Sequence, residues 1–257
     1  MKILIFTDCH VGPDQSLLRF DKLAQHILVK KPDVIVQLGD FITIDSLSNW
    51  DMNKRLIMEG RRYNEDIAAG RRAINKIFDP IFEHNKQCAR MHIKQYKPII
   101  HWFLANHEDR VQRYVEQNPQ LQGHVDVIKD LGLNKLPVNI VENKDYIEQN
   151  GILFTHSPVN AAGKLVSGKY SAFRVSDLVS MSTIFGHVHR LEQIGLHRHG
   201  SGKLIQILSC GAFFDKPDAY TEGSTENYWR GFVELDVWGD GRFDVTQTSL
   251  ERLYEMY

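Results

Sequence analysis

The chain has 257 residues, with 31 Lys/Arg against 32 Asp/Glu and a formal net charge of −1. Its 42% apolar and 25% charged residues are an ordinary globular composition, and the length suffices for one sizeable core. The charge balance excludes a globally basic nucleic-acid binder and an acidic disordered chain; a local basic patch stays allowed.

No apolar run reaches the roughly 18 residues of a membrane span. The opening MKILIFTDCH carries one Lys and an apolar run too short for a signal peptide. Cys9, Cys88 and Cys210 are an odd, sparse set, which points to a reducing compartment and so to the cytoplasm.

Taken in chain order, short β-branched runs read as buried strands. Lys2–Thr7 ends in Asp8, and Val34–Leu38 ends in Gly39-Asp40. Ile99–Leu104 ends in Ala105-Asn106-His107, Ile152–Thr155 in His156, and Thr183–Phe185 in Gly186-His187. Between the first two, Ser16–Lys30 carries Leu17, Phe20, Leu23, Ala24, Ile27 and Leu28 at helical spacing, and Pro32 marks its end. Strand–helix–strand alternation predicts right-handed βαβ units, and ligands of open α/β sheets bind outside the carboxyl ends of the strands. The five polar endings are therefore expected together.

Residues 49–97 read as two or three helices, an insertion or cap within a single domain spanning 1–257. Residues 51–97 hold eleven Lys/Arg against six Asp/Glu, a net +5. Two readings stand: a solvated helical face, or a cap that steers an anionic substrate. Towards the end, Lys203–Ser209, Gly231–Trp238 and Arg242–Ser249 are strand-like with glycine-rich turns between them, which predicts antiparallel hairpins. Leu250, Leu253, Tyr254 and Tyr257 form an apolar spacing that packs on the sheet or meets another subunit. The oligomeric state is not legible.

The polar endings have metal-binding chemistry. Asp8 and His10 stand at i and i+2, as do His187 and His189, so in an extended segment each pair points one way. Asp40 offers a carboxylate able to bridge two cations. Imidazole, carboxylate and a neutral amide oxygen suit Zn, Fe, Mn or Co, and no thiolate is needed. His26, His84 and His92 lie on helical patterns and read as packed or solvated; His101 reads as a sheet residue, His124 as a loop residue, and His197-Arg198-His199 as a hairpin tip.

The ordered set Asp8-x-His10, Gly39-Asp40, Ala105-Asn106-His107-Glu108, His156 and Gly186-His187-Val188-His189 resembles the calcineurin-like metallophosphoesterase superfamily, in particular its small stand-alone bacterial and viral members. The resemblance implies an α/β (α+β) fold, a four-layer αββα sandwich of two mixed sheets, with a two-metal centre between them. It implies Asp8, His10 and His189 as ligands of one ion and Asn106, His156 and His187 as ligands of the other, with Asp40 as the bridge. His107 matches the catalytic histidine, Glu108 the acid that orients it, and Arg110 a phosphate-binding arginine. The ions implied are two divalent cations, with manganese foremost; Fe, Zn, Co or Ni also suit these ligands. Ala105 departs from the usual glycine; its methyl restricts φ, and a turn that needs positive φ would shift Asn106 slightly.

The activity implied is hydrolysis of phosphate mono- or diesters by in-line attack of a hydroxide held between the ions, with His107 protonating the departing alkoxide. A side-chain acid or base supplies only about 10²–10⁴ of the acceleration, so positioned charge must supply most of it. The substrate is expected among nucleotides or nucleic acids such as DNA, with Lys164, Lys169 and Arg174 after His156 as basic neighbours and Lys164 as a substrate-binding candidate. Tyr170, Tyr228 and Trp229 are candidates for stacking on a base or for packing. A protein phosphatase, suggested by Asn-His-Glu-x-Arg, and a catalytically silent metal-binding scaffold are the alternatives.

Overall fold

In this computed structural model, which describes residues 1–160, 162–215 and 228–257, all five apolar runs with polar endings are strands. The first half of the chain forms β1 (Lys2–Phe6), α1 (Leu18–Lys30), β2 (Val34–Gln37), α2 (Arg55–Met58), α3 (Tyr63–Arg90) and β3 (Ile99–Phe103). There follow α4 (Asp109–Gln117), α5 (Val127–Leu131), β4 (Asn139–Val141), β5 (Tyr146–Gln149), β6 (Ile152–Thr155) and α6 (Ser171–Ser176). The chain continues through β7 (Ser182–Phe185), β8 (Leu191–His197), β9 (Leu204–Cys210), β10 (Gly231–Gly239), β11 (Arg242–Ser249) and α7 (Leu250–Met256).

The strands build two mixed sheets, ordered β11-β10-β1-β2-β3-β4 and β5-β6-β7-β9-β8. β1 to β4 are mutually parallel, and so are β6, β7 and β9. Parallel neighbours need crossovers; helices supply them from β1 to β4 and from β6 to β7, and β8 makes the link from β7 to β9. The expected hairpins divide between the sheets: β8–β9 closes the second, and β10–β11 extends the first. His197-Arg198-His199 lies at the turn joining β8 to β9, as its Gly-Ser-Gly neighbour suggests.

The sheets face each other across an apolar core. Ile3, Ile5 and Val36 of the first meet Phe154, Ile184 and Leu208 of the second. The outer face of the first sheet, with Leu4, Phe6 and Trp102, is covered by Phe20, Leu23 and Ile27 of α1 and by Ile74, Ile77 and Phe78 of α3. β1 and β2 are thus buried on both faces, which explains their continuous apolar reading in place of alternation. On the outer face of the second sheet, Ala172 and Val175 of α6 pack on Ile205 and Ile207. The result is α/β with two mixed sheets and helices outside them. The second helical layer is thin, because α6 has only six residues.

Residues 49–97 divide in two. The 28-residue α3 is a packed layer, with Ile67, Ala73, Ile74, Ile77 and Phe78 in the core. Residues ahead of it, around α2, leave Trp50, Met52, Leu56 and Ile57 exposed. Several of the excess cations are paired: Lys54 and Arg61 with Asp51, Lys76 with Asp21, and Lys86 with Glu83. At the C-terminus α7 buries Leu250 and Leu253 in the same core, with Tyr254 and Tyr257 packed against it, so the apolar spacing is satisfied within the chain. His26 is buried and meets Glu234 at 3.0 Å. Among the described residues no helix is long and apolar enough to cross a membrane.

Candidate metal centre

β1, β2 and β3 end side by side, and β6 and β7 end opposite them in the second sheet. Asp8 and His10 leave β1, Asp40 leaves β2, and Asn106 and His107 leave β3. His156 follows β6, and His187 and His189 follow β7. Three overlapping groups of ligand atoms lie within 4.8 Å of one another: Asp8, His10 and His189; His10, Asp40 and His107; and Asp40, His156 and His187. The Asn106 amide oxygen stands 3.2 Å from His156 Nε2, so it joins the last group. All seven expected ligands are brought together, and Asp40 belongs to groups on both sides.

The local backbone differs from expectation. Asp8 (φ 50°), His10 (φ 46°), Asp40 (φ 49°), His187 (φ 68°) and His189 (φ 57°) are all left-handed. The i, i+2 pairs therefore converge by successive left-handed turns and not by the pleat of an extended segment. Each such residue costs of order 1–3 kcal/mol, which surrounding bonds must hold in place. Asp8 N–H donates to the Gly39 carbonyl at 3.0 Å and His10 N–H to that of Asp40 at 3.1 Å. The two flanking glycines have steric reasons. A Cβ on Gly39 (φ 103°) would lie 2.5 Å from His156 Nδ1, and one on Gly186 would lie 2.7 Å from Asp8 Oδ2. Ala105 keeps a negative φ, so its methyl is tolerated.

Each carboxylate is tied from outside the centre. Thr7 Oγ1 donates to Asp8 Oδ2 at 2.6 Å and His187 N–H to the same oxygen at 3.0 Å. His107 N–H donates to Asp40 Oδ1 at 2.9 Å. Burial opposes ionisation of both acids. For Asp8 the charges of His156 and His189 outweigh it; for Asp40 those of His156 and His107 do, and both carboxyls stay well below the usual range. His156 shows the converse: burial would lower it, but Asp40 and Asp8 raise it to about 9. His156 Nδ1 faces the Leu38 carbonyl at 2.7 Å, which places the proton there and turns Nε2 inward.

The buried Nδ1 of His189 has no hydrogen-bond partner among the described residues. An inward-turned imidazole nitrogen, two ionised carboxylates and an amide oxygen in one dry cluster need positive charge, and two divalent ions fit this donor set.

The supporting residues take unexpected roles. Glu108 is engaged by the backbone. Its buried carboxylate accepts N–H bonds from Phe41 (2.8 Å) and Ile42 (3.1 Å) on one oxygen and from Ala105 (2.9 Å) on the other. It therefore ties the loop after Asp40 to the loop before Asn106. Burial and the Asp40 charge raise it to about 7, against the pull of those donors. The Thr43 carbonyl faces the His107 ring 3.1 Å from Nδ1, and the His10 ring stands edge-on to it at 4.5 Å. Arg110 is committed to the same Thr43 carbonyl at 2.6 Å and to Asp45 at 2.8 Å. Lys164 is exposed on the loop after His156, its backbone N–H held by Asn160.

Three residues escaped the sequence reading. Arg113 donates to the Asn106 carbonyl at 2.7 Å, and its spacing of three from Arg110 on α4 was the available signal. Arg19, fully buried, donates to the carbonyls of Cys9 (3.0 Å) and Phe213 (2.9 Å). It lies among the buried residues of α1, at the edge of the apolar stripe beside Leu23. Trp50 lines a cleft beside Asn106, with Arg110 and Arg113. Of the stacking candidates, Tyr228 stands edge-on to His189 at 4.8 Å, Trp229 packs on the inter-sheet core, and Tyr170 is exposed.

With this arrangement in view, comparison with known families is decisive. Residues 1–191 match the model of the calcineurin-like phosphoesterases. The chain belongs to that family. No curated protein sequence matches it. Among solved structures the phosphoesterase resembles Yfce, a phosphoesterase from E. coli, at 14% identity and a TM-score of 0.38, over 97% of this chain and all (100%) of that one. It also resembles a dimetal phosphatase from Danio rerio, at 12% identity and a TM-score of 0.41, over 96% of this chain and 98% of the other. A purple acid phosphatase from yellow lupin matches at 12% identity and a TM-score of 0.32, over 98% of this chain and 52% of its own. Its family membership makes the chain a metal-dependent phosphoric ester hydrolase.

Proposed function

We propose that this phosphoesterase cleaves phosphate mono- or diesters of the nucleotide class by in-line displacement, with two manganese ions and with His107 as the acid that protonates the leaving oxygen. The observation that carries the reading is the position of Asp40, shared by ligand groups on both sides and bonded through Oδ1 to the His107 N–H. A bound pair of divalent ions supplies the charge that acidifies water and clamps the ester oxygens. The chain's own groups do the rest. Asp8, His10 and His189 on one side, and Asn106, His156 and His187 on the other, fix where that charge sits. The Thr43 carbonyl fixes the His107 ring through Nδ1, so Nε2 takes up and releases the proton. Arg113 is paired with Asp109 at 3.2 Å, yet at 45% side-chain exposure beside Asn106 it is more open to an approaching phosphate than Arg110 at 14%.

The hydrogen bonds of Arg110 to Asp45 and the Thr43 carbonyl weigh against the protein-phosphatase reading, which leaned on that residue. The three buried cysteines carry no disulfide, as a cytoplasmic location allows. The test is a screen of phosphate esters with added Mn²⁺, Fe²⁺, Zn²⁺, Co²⁺ or Ni²⁺, run beside His107→Ala. The expected result is a turnover loss of about 10²-fold or more in the variant with both ions retained. Equal turnover by variant and wild type on the best ester would remove His107 from the mechanism. No turnover of any ester with two ions bound would point to a scaffold.

A further inference from the structure

Tryptophan is a residue that folding normally covers, and Trp102 in the core is only 1% exposed. Trp50 is 77% exposed, and it stands at the edge of the metal centre. It lines a shallow cleft of about 180 Å³ with Leu47, Ser48, Asn106, Arg110 and Arg113. One wall of that cleft is thus a candidate ligand, Asn106. A second is Arg113, whose guanidinium touches the Asn106 carbonyl. The space is smaller than the ~300–1,000 Å³ of pockets that enclose a whole drug-sized ligand, and suits one flat ring.

The loop that presents the indole is built and not loose. Asp51, 7% exposed, accepts hydrogen bonds from Ser48 Oγ (3.3 Å), Lys54 Nζ (2.8 Å) and Arg61 Nη1 (3.1 Å). Backbone bonds from Asp51 N–H to Ser48 and from Lys54 N–H to Asp51 close the turn on both sides of Trp50. The Lys54 ammonium lies 5.4 Å from the indole centroid, so the ring is polarised by a cation. Burial would raise the Asp51 carboxyl, but Lys54 and Arg61 hold it below its ordinary range, so the turn that carries the exposed ring is firmly braced.

We propose that Trp50 is the stacking platform for a nucleobase carried by the ester that the metal centre cleaves. The inference rests on the phosphoesterase reading above and adds the substrate's recognition. A base presents a π-face to the indole, while its phosphates meet Arg113 and the cations around it. A peptide side chain bearing a phosphate lacks the sugar that separates ring from phosphorus, and gains less from a platform set at the rim.

The test compares adenosine 5′-monophosphate, phenyl phosphate and glycerol 3-phosphate, which share the phosphate and differ in the ring. Binding to the Mn²⁺-loaded protein is followed by tryptophan fluorescence and by calorimetry, in wild type, Trp50→Ala and Trp50→Phe. Adenosine monophosphate is expected to quench a signal that Trp50→Phe lacks. Trp50→Ala is expected to weaken it about tenfold more than it weakens glycerol phosphate, and Trp50→Phe to restore most of the loss, in keeping with base–aromatic stacking. A short oligothymidylate run in parallel separates a polymer from a free nucleotide: a steep fall of affinity with salt marks the polymer. Equal losses for adenosine monophosphate and glycerol phosphate, no loss for either, or no measurable binding of adenosine monophosphate would overturn the platform. A loss for phenyl phosphate as large as for adenosine monophosphate would replace the nucleobase by a simple aryl group. Ring-selective binding without hydrolysis of any ester would leave the platform standing and sink the catalytic reading instead.

Discussion

Glu108→Gln separates two accounts of the residue beside His107. The carboxylate is 1% exposed and accepts three backbone N–H bonds, two on Oε1 and one on Oε2. Glutamine keeps the shape, and its carbonyl can take the place of Oε1 and hold Phe41 and Ile42. Its NH₂ then faces the Ala105 N–H, donor against donor. One buried N–H loses its acceptor, a cost of about 1–3 kcal/mol. At roughly 2–4 °C per kcal/mol for a chain of this size, the midpoint of thermal unfolding falls by about 2–12 °C. Because the broken bond anchors the Asn106 loop to the Asp40 loop, Mn²⁺ affinity falls by about 10- to 100-fold, the usual cost of losing an outer partner of a metal site. Calorimetric unfolding and equilibrium dialysis against Mn²⁺ measure both. A variant that unfolds and binds Mn²⁺ like wild type but turns over slowly would refute the reasoning and return Glu108 to the task of aiming His107.

Asp40→Asn is expected to lower bound metal from two ions per chain to one or fewer by elemental analysis, since the carboxylate serves both groups; full retention would take Asp40 out of the bridge. In chelator-treated protein, the raised His156 contributes stability that is complete below its unfolded pKa of about 6.5 and is lost as pH rises through about 9. Urea unfolding should therefore show falling stability across that window, and added Mn²⁺ should abolish this slope, because a liganding imidazole is already neutral. Arg19→Leu strips the donors from the Cys9 and Phe213 carbonyls, and should cost about 2 kcal/mol or more while weakening metal at the Asp8–His10 turn; a variant matching wild type in both would make Arg19 a bystander.

The ligands were legible because a parallel strand announces its own end: an apolar run stops, and the next polar residue stands where ligands bind. Asp8, Asp40, His156 and His187 all follow this rule, and family resemblance assigned them to two ions. The outer layers were less legible. The shorter helices α4, α5 and α6 are five-to-nine-residue pieces whose pattern is too brief to separate from loop, and β4 and β5 are three and four residues long. Roles that depend on where a side chain turns could not be read at all. Glu108 and His107 are neighbours in the chain, yet one faces backbone N–H groups and the other the Thr43 carbonyl. Left-handed φ at five ligand residues is likewise silent in a sequence that places no glycine at those positions.

The donors come from two separate leaves of the sandwich: Asp8, His10, Asp40 and Asn106 from one, His156, His187 and His189 from the other. Cations seated there act as a clasp at one end of a seam that is elsewhere closed only by hydrocarbon. Loading the centre is then expected to fix how the leaves register against each other, and a substitution deep in the seam, such as at Phe154 or Leu208, to alter ion spacing without touching a candidate ligand.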